Sequence, residues 1–476
     1  MKRNIFATIF VVLLATVSWA QDNAAFAEHA QNVIDKFANA PTLRHATVGV
    51  MVCDIDSGKL IASHNPDLSV ITASTMKTVT SSAALLLLGS QYRFKTPVFL
   101  VGEIDGETLH GDLVVVGCGD PTLGSKHFPE NSNIVEEIVQ GLKSRGIRKI
   151  NGKIILDQSL ISYPDYPVEW EVEDLAWGYG TGVNAVNFSD NRLHLRFTSK
   201  DGEISNVSIA PSVPGLEVIN KLSRGNADNV NVLLESGHPS LILYGKASNS
   251  ENYDLTLANP IPGAMLADSI AHALRNADIN LRNHDNAVKA EFEGARTLLV
   301  EHESPSLPII IKSLLDRSDN MFTEALLLAI AGSQGREVST ANGVEVVREL
   351  WRNVGLDVDP LFQSDGSGLA RTNKASVTFF AQMLSYMSRQ RFNGMALCDL
   401  MPHAGTRIGT PMANSKLRDN IALKSGSMQN VQTFVGYYPA DSPRYAWAIL
   451  VNNFRGTRAS LKDNMGQLLI NLFGDK

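Results

Sequence analysis

The spacing of three short motifs constrains the fold of this chain more than any other feature. Ser74 begins the only Ser-x-x-Lys, and Lys424-Ser425-Gly426, far downstream, is the only Lys-[Ser/Thr]-Gly. Ser318-Asp319-Asn320 lies between them. Motifs in this order are typical of a serine acyl-transfer site in which a lysine assists the serine. The stretch between Ser74 and Ser318 is longer than one compact helical subdomain needs, so it indicates an insertion within the domain that carries the motifs.

Ser74 and Lys77 have the chemistry that acyl transfer requires. A serine hydroxyl is a poor nucleophile near neutral pH and needs a base within hydrogen-bond reach. Three residues make almost one helical turn, so the two side chains would share a helix face. A lysine desolvated among other cations can lose its proton and act as that base. An apolar run at residues 78–88, closed by Gly89, predicts that Ser74 lies near the start of a buried helix.

Each motif alone is a weak signal, because Ser-x-x-Lys usually marks a solvated helix surface and Ser-x-Asn recurs in the chain. The other copies of Ser-x-Asn begin at Ser63, Ser189 and Ser250. Ser63 precedes the nucleophile, and Ser189 leads into an alternating strand at residues 192–197, which indicates a turn. Ser318 instead separates two helical patterns, where an interhelical loop presents side chains to a cleft.

The hydrophobic patterns predict an α/β (α+β) fold with an antiparallel sheet flanked by helices. A hairpin at residues 46–62 and strands at 422–424, 433–438 and 445–452 give about five strands. Residues 92–304 are mostly β in pattern, with strands at 94–102, 112–117, 153–157, 192–198, 230–234 and 241–244. The predicted organisation is a signal peptide (1–20), a first catalytic part (21–91), a β-rich insertion of two nested small domains (92–304) and a second catalytic part (305–476).

The first 20 residues are typical of an export signal. Lys2 and Arg3 precede an apolar stretch at residues 5–17, and Ser18-Trp19-Ala20 fits a small-x-small cleavage site. The apolar stretch is shorter than the roughly 20 residues that a spanning helix needs. An uncleaved membrane anchor is the alternative. We therefore predict a periplasmic or secreted protein with at most peripheral membrane contact.

Charge and cysteine content exclude several functions. The formal net charge is −7, and it becomes −9 without residues 1–20, which carry two basic and no acidic side chains. Phosphate binding needs a basic face, so nucleic acid is not an expected partner. Cys53, Cys118 and Cys398 do not make a disulfide framework. No metal signature such as His-Glu-x-x-His occurs, and no cofactor is implied.

The three motifs resemble those of the penicillin-binding protein and serine β-lactamase superfamily. The flanking sequence is similar to the class C low-molecular-mass penicillin-binding proteins, the D-alanyl-D-alanine carboxypeptidase and endopeptidase family. The resemblance runs from about residue 46 to residue 454 and is carried by Gly111-Asp112-Leu113, Gly117-Cys118-Gly119-Asp120-Pro121-Thr122-Leu123, Trp177-Gly178-Tyr179-Gly180, Asp365-Gly366-Ser367-Gly368-Leu369 and Gly436-Tyr437. Two positions depart from the family pattern, Ser425 in place of the usual threonine and Thr72 in place of a common proline.

This resemblance implies peptidoglycan stem peptides as substrates and β-lactam antibiotics as covalent inhibitors. It implies that Ser74 is the nucleophile, Lys77 its base and Ser318 a proton relay, while Asn320 binds the peptide backbone and holds Lys77. Further implied contacts are Lys424 and Ser425 with the substrate carboxylate, Gly426 beside the substrate, and the N–H groups of Ser74 and Ser427 as an oxyanion hole.

Three other residues have less definite roles. Asp157, at the end of a predicted strand, matches the family position that faces the amino group of the third stem residue, and Met428 would line the same pocket. A turn aspartate and a packing methionine are equally good interpretations. For Asp365, beside a glycine-rich loop, a structural turn role is the better interpretation.

Two rival functions share this fold. A serine β-lactamase must also hydrolyse its acyl-enzyme, and class A enzymes do so with a Glu-x-x-Leu-Asn motif. Glu345 and Glu349 fall in the expected interval, but neither begins such a motif. A non-catalytic wall-binding or β-lactam-sensing module is the second rival. Among peptidases, removal of terminal D-alanine and cleavage of cross-links fit the same motifs.

Overall fold

The computed structural model describes residues 24–131, 133–161, 166–226, 229–235, 238–283, 287–288 and 296–474. The predicted export signal at residues 1–20 lies outside these ranges. The chain divides into two compact units. Unit 1 contains the described residues up to Ser82, Arg348–Gln363, and the described residues from Thr372 onwards; unit 2 contains Ala83–Val347 and Ser364–Arg371. The predicted insertion at residues 92–304 stays a prediction.

The helices are α1 (24–38), α2 (Met76–Leu87), α3 (Ile134–Ser144), α4 (Pro262–Asn276), α5 (Leu307–Arg317), α6 (Asn320–Ser333), α7 (Thr340–Asn353), α8 (Val377–Met387), α9 (Leu397–Leu400), α10 (Thr410–Ala413) and α11 (Arg458–Phe473). None of the helices in the described ranges has both the length and the apolar character needed to cross a membrane.

The strands are β1 (Thr47–Asp54), β2 (Leu60–His64), β3 (Val70–Ile71), β4 (Lys95–Asp105), β5 (Thr108–Val116), β6 (Lys149–Ile150), β7 (Ile154–Asp157), β8 (Arg192–Lys200), β9 (Glu203–Ala210), β10 (Glu217–Arg224), β11 (Asn229–Leu234), β12 (Ser240–Ala247), β13 (Ser250–Ala258), β14 (Asn280–Leu281), β15 (Ala287–Val288), β16 (Arg296–Glu303), β17 (Lys374–Ala375), β18 (Ala422–Met428), β19 (Val431–Tyr438) and β20 (Tyr445–Asn452).

Unit 1 is built on a five-stranded antiparallel sheet in the order β18-β19-β20-β1-β2. Successive side chains of a strand point to opposite faces, and both faces are covered. On one face, Val50 and Ile449 belong to a core shared with α1 and α11. On the other face, Sγ of Cys53 donates to the carbonyl of Ala381 in α8, and the hydroxyl of Tyr437 donates to the carbonyl of Leu384. The predicted antiparallel sheet with helices on both sides is confirmed.

Among the described residues, unit 2 contains three sheets, and two of its hydrophobic cores are large. One mixed sheet has the order β14-β6-β5-β4-β16, with β7 paired to β5 and β15, and it packs with α3 and α4 around a core that includes Leu113, Ile138 and Ile270. Two three-stranded sheets, β13-β8-β9 and β10-β12-β11, enclose a second core that includes Leu195 and Leu243. The strands predicted within residues 92–304 are all present.

The sequence patterns missed several elements of unit 2. The strands β9, β10, β13 and β16 had no predicted counterpart, because most of the side chains described in β9, β10 and β16 are exposed or half-buried and give little alternation. In unit 1, β18 continues to Met428 rather than ending at Lys424, so the whole Lys424-Ser425-Gly426 motif lies within a strand.

Candidate active site

Ser74 and Lys77 lie side by side at the start of a buried helix. Ser74 is in a single turn of 3-10 helix, Ala73–Thr75, that leads directly into α2. Nζ of Lys77 donates a hydrogen bond to Oγ of Ser74 at 3.0 Å. Lys77 is fully buried and Ser74 is half-buried. The helix dipole at this end favours negative charge. Unit 1 therefore presents the geometry that a serine nucleophile and its base require.

Gly426 brings strand β18 against the turn that carries Ser74. A Cβ atom at Gly426 would lie 2.8 Å from the backbone nitrogen of Ser74 and 2.8 Å from the carbonyl oxygen of Thr72. From the neighbouring strand β19, Oγ1 of Thr433 donates to that same carbonyl at 2.7 Å. Any side chain at position 426 would push the strand away from the turn. The glycine therefore sets the distance between the Lys-Ser-Gly motif and the nucleophile.

The Lys-Ser-Gly strand lies at the edge of the sheet of unit 1. At its start, the N–H of Leu423 donates to the carbonyl of Pro402, away from β19. Because N–H groups alternate between the two edges of an antiparallel strand, those of Ser425 and Ser427 face the same outer edge. Lys424 is fully buried, and its Nζ donates to the carbonyl of Ser425 at 2.6 Å.

Gln432, which sequence reasoning did not single out, supports this end of the strand. Its Nε2 donates to the carbonyl of Gly426 at 3.0 Å, and its Oε1 accepts from the hydroxyl of Ser427 at 2.8 Å. Gln432 is almost fully buried on β19. No local motif marks it, because its importance comes from contacts with Gly426 and Ser427 on the neighbouring strand.

In unit 2, Ser318-Asp319-Asn320 forms the junction between two helices. Ser318 ends α5 in the left-handed conformation with φ of 58°, and Asp319 caps α6 by accepting from the N–H of Phe322. Asn320 is the first residue of α6 rather than a loop residue, and its Nδ2 donates to the carbonyl of Tyr179 at 2.7 Å. The motif lies between two helices as predicted, but the connection consists only of Ser318 and Asp319.

The carboxylate of Asp319 is buried between two guanidinium groups. Its Oδ2 lies 3.0 Å from Nη1 of Arg192 and 3.1 Å from Nη1 of Arg317, and only 1% of its side chain is exposed. Burial alone would raise the pKa of Asp319, but the two arginines and the helix cap hold this pKa below its ordinary value. The middle residue of the motif therefore carries a negative charge near neutral pH, within a cluster of paired charges.

Comparison with known proteins identifies the family. Residues 30–471 match the D-Ala-D-Ala carboxypeptidase 3 (S13) family. The chain belongs to this family. The D-alanyl-D-alanine carboxypeptidase DacB of Haemophilus influenzae is 25% identical over 423 residues, which cover 86% of each chain. The D-alanyl-D-alanine carboxypeptidase of Actinomadura sp. is 23% identical over 449 residues, 89% of this chain and 81% of the relative.

Solved structures confirm the predicted fold class. Penicillin binding protein 4 from Haemophilus influenzae matches with a TM-score of 0.80 at 24% identity, covering 93% of this chain and 98% of its own. A predatory peptidoglycan endopeptidase from Bdellovibrio bacteriovorus matches with a TM-score of 0.52 at 15% identity, covering 90% and 93%. Membership of the S13 family confirms the predicted enzyme class, a serine-type D-Ala-D-Ala carboxypeptidase, and does not favour either rival function.

The structure gives Asp157 and Met428 clear local contacts. Oδ1 of Asp157, at the end of β7, accepts from the N–H of Ser159 at 3.0 Å and from its hydroxyl at 2.6 Å, which is a turn-forming arrangement. The carbonyl of Met428, at the end of β18, accepts from Arg458 at 2.7 Å. The role of both side chains in a substrate pocket stays a prediction for this S13 enzyme.

A buried pair of carboxyl groups, Glu324 and Asp365, organises the glycine-rich loop of unit 2. Glu324 accepts from the N–H groups of Gly366 and Ser367, both at 2.8 Å. Asp365 accepts from the N–H groups of two later loop residues and from Nε1 of Trp170 at 2.9 Å. The predicted turn role of Asp365 is confirmed. Glu324 was missed, because it lies within an apolar helix without any motif. Burial, followed by the neighbouring Asp365 charge, raises the pKa of Glu324 to about 8.

The remaining candidates for reactive chemistry are the three cysteines and clusters of metal-binding side chains. The three cysteines are free, Cys53 and Cys398 are buried, and Cys118 is half-buried with its Sγ 3.2 Å from the hydroxyl of Thr96. Burial raises the pKa of Cys118 to about 12, so its thiol stays protonated near neutral pH. In the part of the chain that the structure describes, no group of three or more His, Cys, Asp or Glu side chains is arranged to hold a metal ion.

Proposed function

We propose that this S13 enzyme removes the terminal D-alanine from peptidoglycan stem peptides through an acyl-enzyme on Ser74. The observation that carries the proposal is the 3.0 Å hydrogen bond between Nζ of Lys77 and Oγ of Ser74 at the start of a buried helix. Lys77 is fully buried, and its Nζ lies within hydrogen-bond reach of the hydroxyl whose proton it would accept, which supports Lys77 as the proton acceptor. The lysine is held by the helix itself, so the base needs no rearrangement to reach the nucleophile.

The proposed reaction has two steps. Oγ of Ser74 attacks the carbonyl of the penultimate D-alanine while Lys77 takes the hydroxyl proton. The peptide C–N bond then breaks, and the terminal D-alanine leaves with a proton on its nitrogen. In the second step, water attacks the ester, releases the shortened peptide and returns the proton to Ser74. By family resemblance, Ser318 relays the proton to the leaving nitrogen, while Asn320 binds the peptide backbone and holds Lys77.

The edge strand β18 supplies the proposed contacts with the substrate. The N–H of Ser427 faces the outer edge of the strand, and with the N–H of Ser74 it would form the oxyanion hole. Such a donor is worth roughly 2.7–4 kcal/mol in a comparable enzyme. Lys424 would pair with the free carboxylate of the terminal D-alanine, and Ser425 would donate a hydroxyl to it. Asp157 and Met428 would contact the third residue of the stem peptide.

Mass spectrometry and product analysis test the nucleophile. The wild-type protein should release D-alanine from a peptide ending in D-Ala-D-Ala and should gain the mass of one penicillin. Ser74→Ala should do neither, because its methyl group cannot form an ester. Ser82→Ala removes another hydroxyl from α2 and serves as the control, with both activities retained. A stoichiometric penicillin adduct on Ser74→Ala would show that the nucleophile lies elsewhere.

We also propose cleavage of peptide cross-links, slow hydrolysis of penicillin and export across the cytoplasmic membrane. Incubation with purified muropeptides should yield uncross-linked products, and their absence would limit the activity to terminal D-alanine. A fluorescent penicillin should stay bound for minutes, whereas turnover within seconds would indicate a β-lactamase.

The mature protein should begin at Gln21 in the periplasmic or secreted fraction, and an intact N-terminus would contradict cleavage after Ala20.

A further inference from the structure

Arg192, the first residue of β8, joins two segments that are far apart in the sequence. Its Nη1 pairs with Oδ2 of Asp319 at 3.0 Å. Its Nε donates to the carbonyl of Gly178 at 2.6 Å. One guanidinium therefore contacts both the Ser318-Asp319-Asn320 junction and the Trp177-Gly178-Tyr179-Gly180 turn. A guanidinium can do this because its donors point in several fixed directions.

A second hydrogen bond joins the same two segments. Nδ2 of Asn320 donates to the carbonyl of Tyr179 at 2.7 Å. Gly178 and Tyr179 are neighbours, as are Asp319 and Asn320, so the two connections close a ring through Arg192. In this ring the amide of Asn320 donates to the carbonyl of Tyr179, and the position of that carbonyl depends on where Arg192 holds Gly178.

The surroundings of Arg192 keep its side chain in place. Only 22% of it is exposed. A Cβ atom at Gly178 would lie 3.4 Å from Cδ of Arg192 and 2.9 Å from Cγ2 of Thr256, so the aliphatic stem packs against the glycine. The N–H of Gly178 also donates to the carbonyl of Thr256 on β13. The turn is therefore held between a strand and the arginine stem.

We propose that Arg192 is a positioning residue, which fixes the side chain of Asn320 by tying the Trp177–Gly180 turn to Asp319. The inference rests on the proposed contact between Asn320 and the substrate. Arg317 also pairs with Asp319 at 3.1 Å, so the buried carboxylate keeps a cationic partner when Arg192 is replaced. Loss of Arg192 should therefore disturb orientation more than folding.

The test compares Arg192→Met with Arg196→Met in the full chain. Arg196 lies on the same strand and pairs with Asp254 at 2.9 Å, but 56% of its side chain is exposed and it contacts neither motif. The acylation rate constant is measured with a fluorescent penicillin and with a D-Ala-D-Ala peptide. Arg192→Met should lower it about 10- to 100-fold, the loss expected for a misplacement of about 1 Å. Arg196→Met should leave the rate unchanged.

Arg192→Lys separates positioning from simple charge balance. Lysine keeps a cation beside Asp319, yet its single nitrogen cannot also hold the carbonyl of Gly178 in the same way. We expect its melting temperature to match the wild type while acylation stays slow. Full recovery of acylation by lysine would overturn the bridging role. This variant also keeps the test decisive if Arg192→Met fails to fold.

Asn320→Ala distinguishes failure of the inference from failure of the proposed function. Slow acylation by Asn320→Ala together with slow acylation by Arg192→Met supports both. Slow acylation by Asn320→Ala with a normal rate in Arg192→Met overturns the positioning role alone. A normal rate in Asn320→Ala removes Asn320 from the proposed function, and the inference about Arg192 falls with it. Ser74→Ala should be inactive in all three outcomes, because none of them concerns the nucleophile.

Discussion

Two regions of the molecule hold their motif residues by different physical means. The nucleophile region, Thr72–Lys77 with Gly426 and Thr433, depends on helix geometry and close backbone packing. The junction region, Ser318–Asn320 with Arg192 and Arg317, depends on paired charges around a buried carboxylate. The stability of close packing depends on side-chain volume and not on pH. The stability of paired charges falls when one partner is removed. Substitutions of volume and of charge should therefore act differently in the two regions.

Lys77→Arg should give the largest effect. Arginine keeps the positive charge but cannot lose its proton, so it cannot serve as the base. We expect kcat for D-alanine release to fall about 10⁴-fold or more, as when a catalytic group is lost from other serine hydrolases. Lys77→Met, which removes the charge as well, should be equally inactive. Near-normal turnover in Lys77→Arg would remove proton transfer by Lys77 from the mechanism.

Gly426→Ala tests whether volume governs the nucleophile region. The added methyl group would lie 2.8 Å from the nitrogen of Ser74, so β18 and the turn must separate. We expect acylation to slow about 100-fold and stability to fall by about 1–3 kcal/mol. Gly141→Ala, where the atoms nearest to the new methyl are side-chain atoms of Leu299 at 3.1 Å, is the matched control. An unchanged acylation rate in Gly426→Ala would break the proposed dependence on close approach.

Lys424→Ala tests whether β18, the strand that packs against the nucleophile region, also recognises the charge of the substrate. For a peptide with a free terminal carboxylate, kcat/KM should fall about 10- to 100-fold, the value of a charge-assisted hydrogen bond of about 1.5–3 kcal/mol. The same peptide amidated at its terminus offers no charge to pair and should lose much less. Equal losses for the two peptides would mean that Lys424 acts on the reacting centre or on stability instead.

Glu324, in unit 2 like the junction region, allows a pH test of a buried carboxyl group. Since burial and Asp365 raise its pKa to about 8, the folded protein keeps this proton after the unfolded chain has lost it. Its contribution to stability is therefore complete below the ordinary glutamate pKa and is lost as the pH rises to about 8. The slope is at most about 1.4 kcal/mol per pH unit.

Denaturant unfolding of wild type and Glu324→Gln from pH 5 to pH 8.5 measures this contribution. The difference in free energy of unfolding between wild type and variant should fall with rising pH, because glutamine does not titrate. Glu345→Gln, which removes an exposed carboxylate that pairs with Arg336 in unit 2, is measured alongside as the control for loss of a surface charge. A difference independent of pH would mean that Glu324 is ionised throughout.

Ser425→Thr should give the smallest effect. The substitution restores the usual family residue, keeps the hydroxyl and adds one methyl group to a half-buried position. We expect the activation free energy to change by less than about 0.5 kcal/mol. Ser425→Ala, which removes the hydroxyl, should lower kcat/KM for the peptide with a free carboxylate. Equal activity in the alanine variant would show that the hydroxyl does not contact the substrate.

The sequence alone determined features that depend on neighbouring residues. The proximity of Ser74 and Lys77 follows from a spacing of three residues on one helix. The β1–β2 hairpin and the apolar strands of the unit 1 sheet were predicted because buried strands leave a clear pattern. The order of the three motifs carried the family resemblance, and the S13 match confirmed it.

Only the tertiary structure decided the contacts that join distant parts of the chain. The exposed strands β9 and β10, the approach of Gly426 to Ser74, and the pairing of Arg192 with Asp319 leave no periodic signal in the sequence. Their partners are far apart along the chain, and each contact forms only when packing has brought the partners together. A local pattern can state which side chains are present, but long-range packing determines which of them are neighbours.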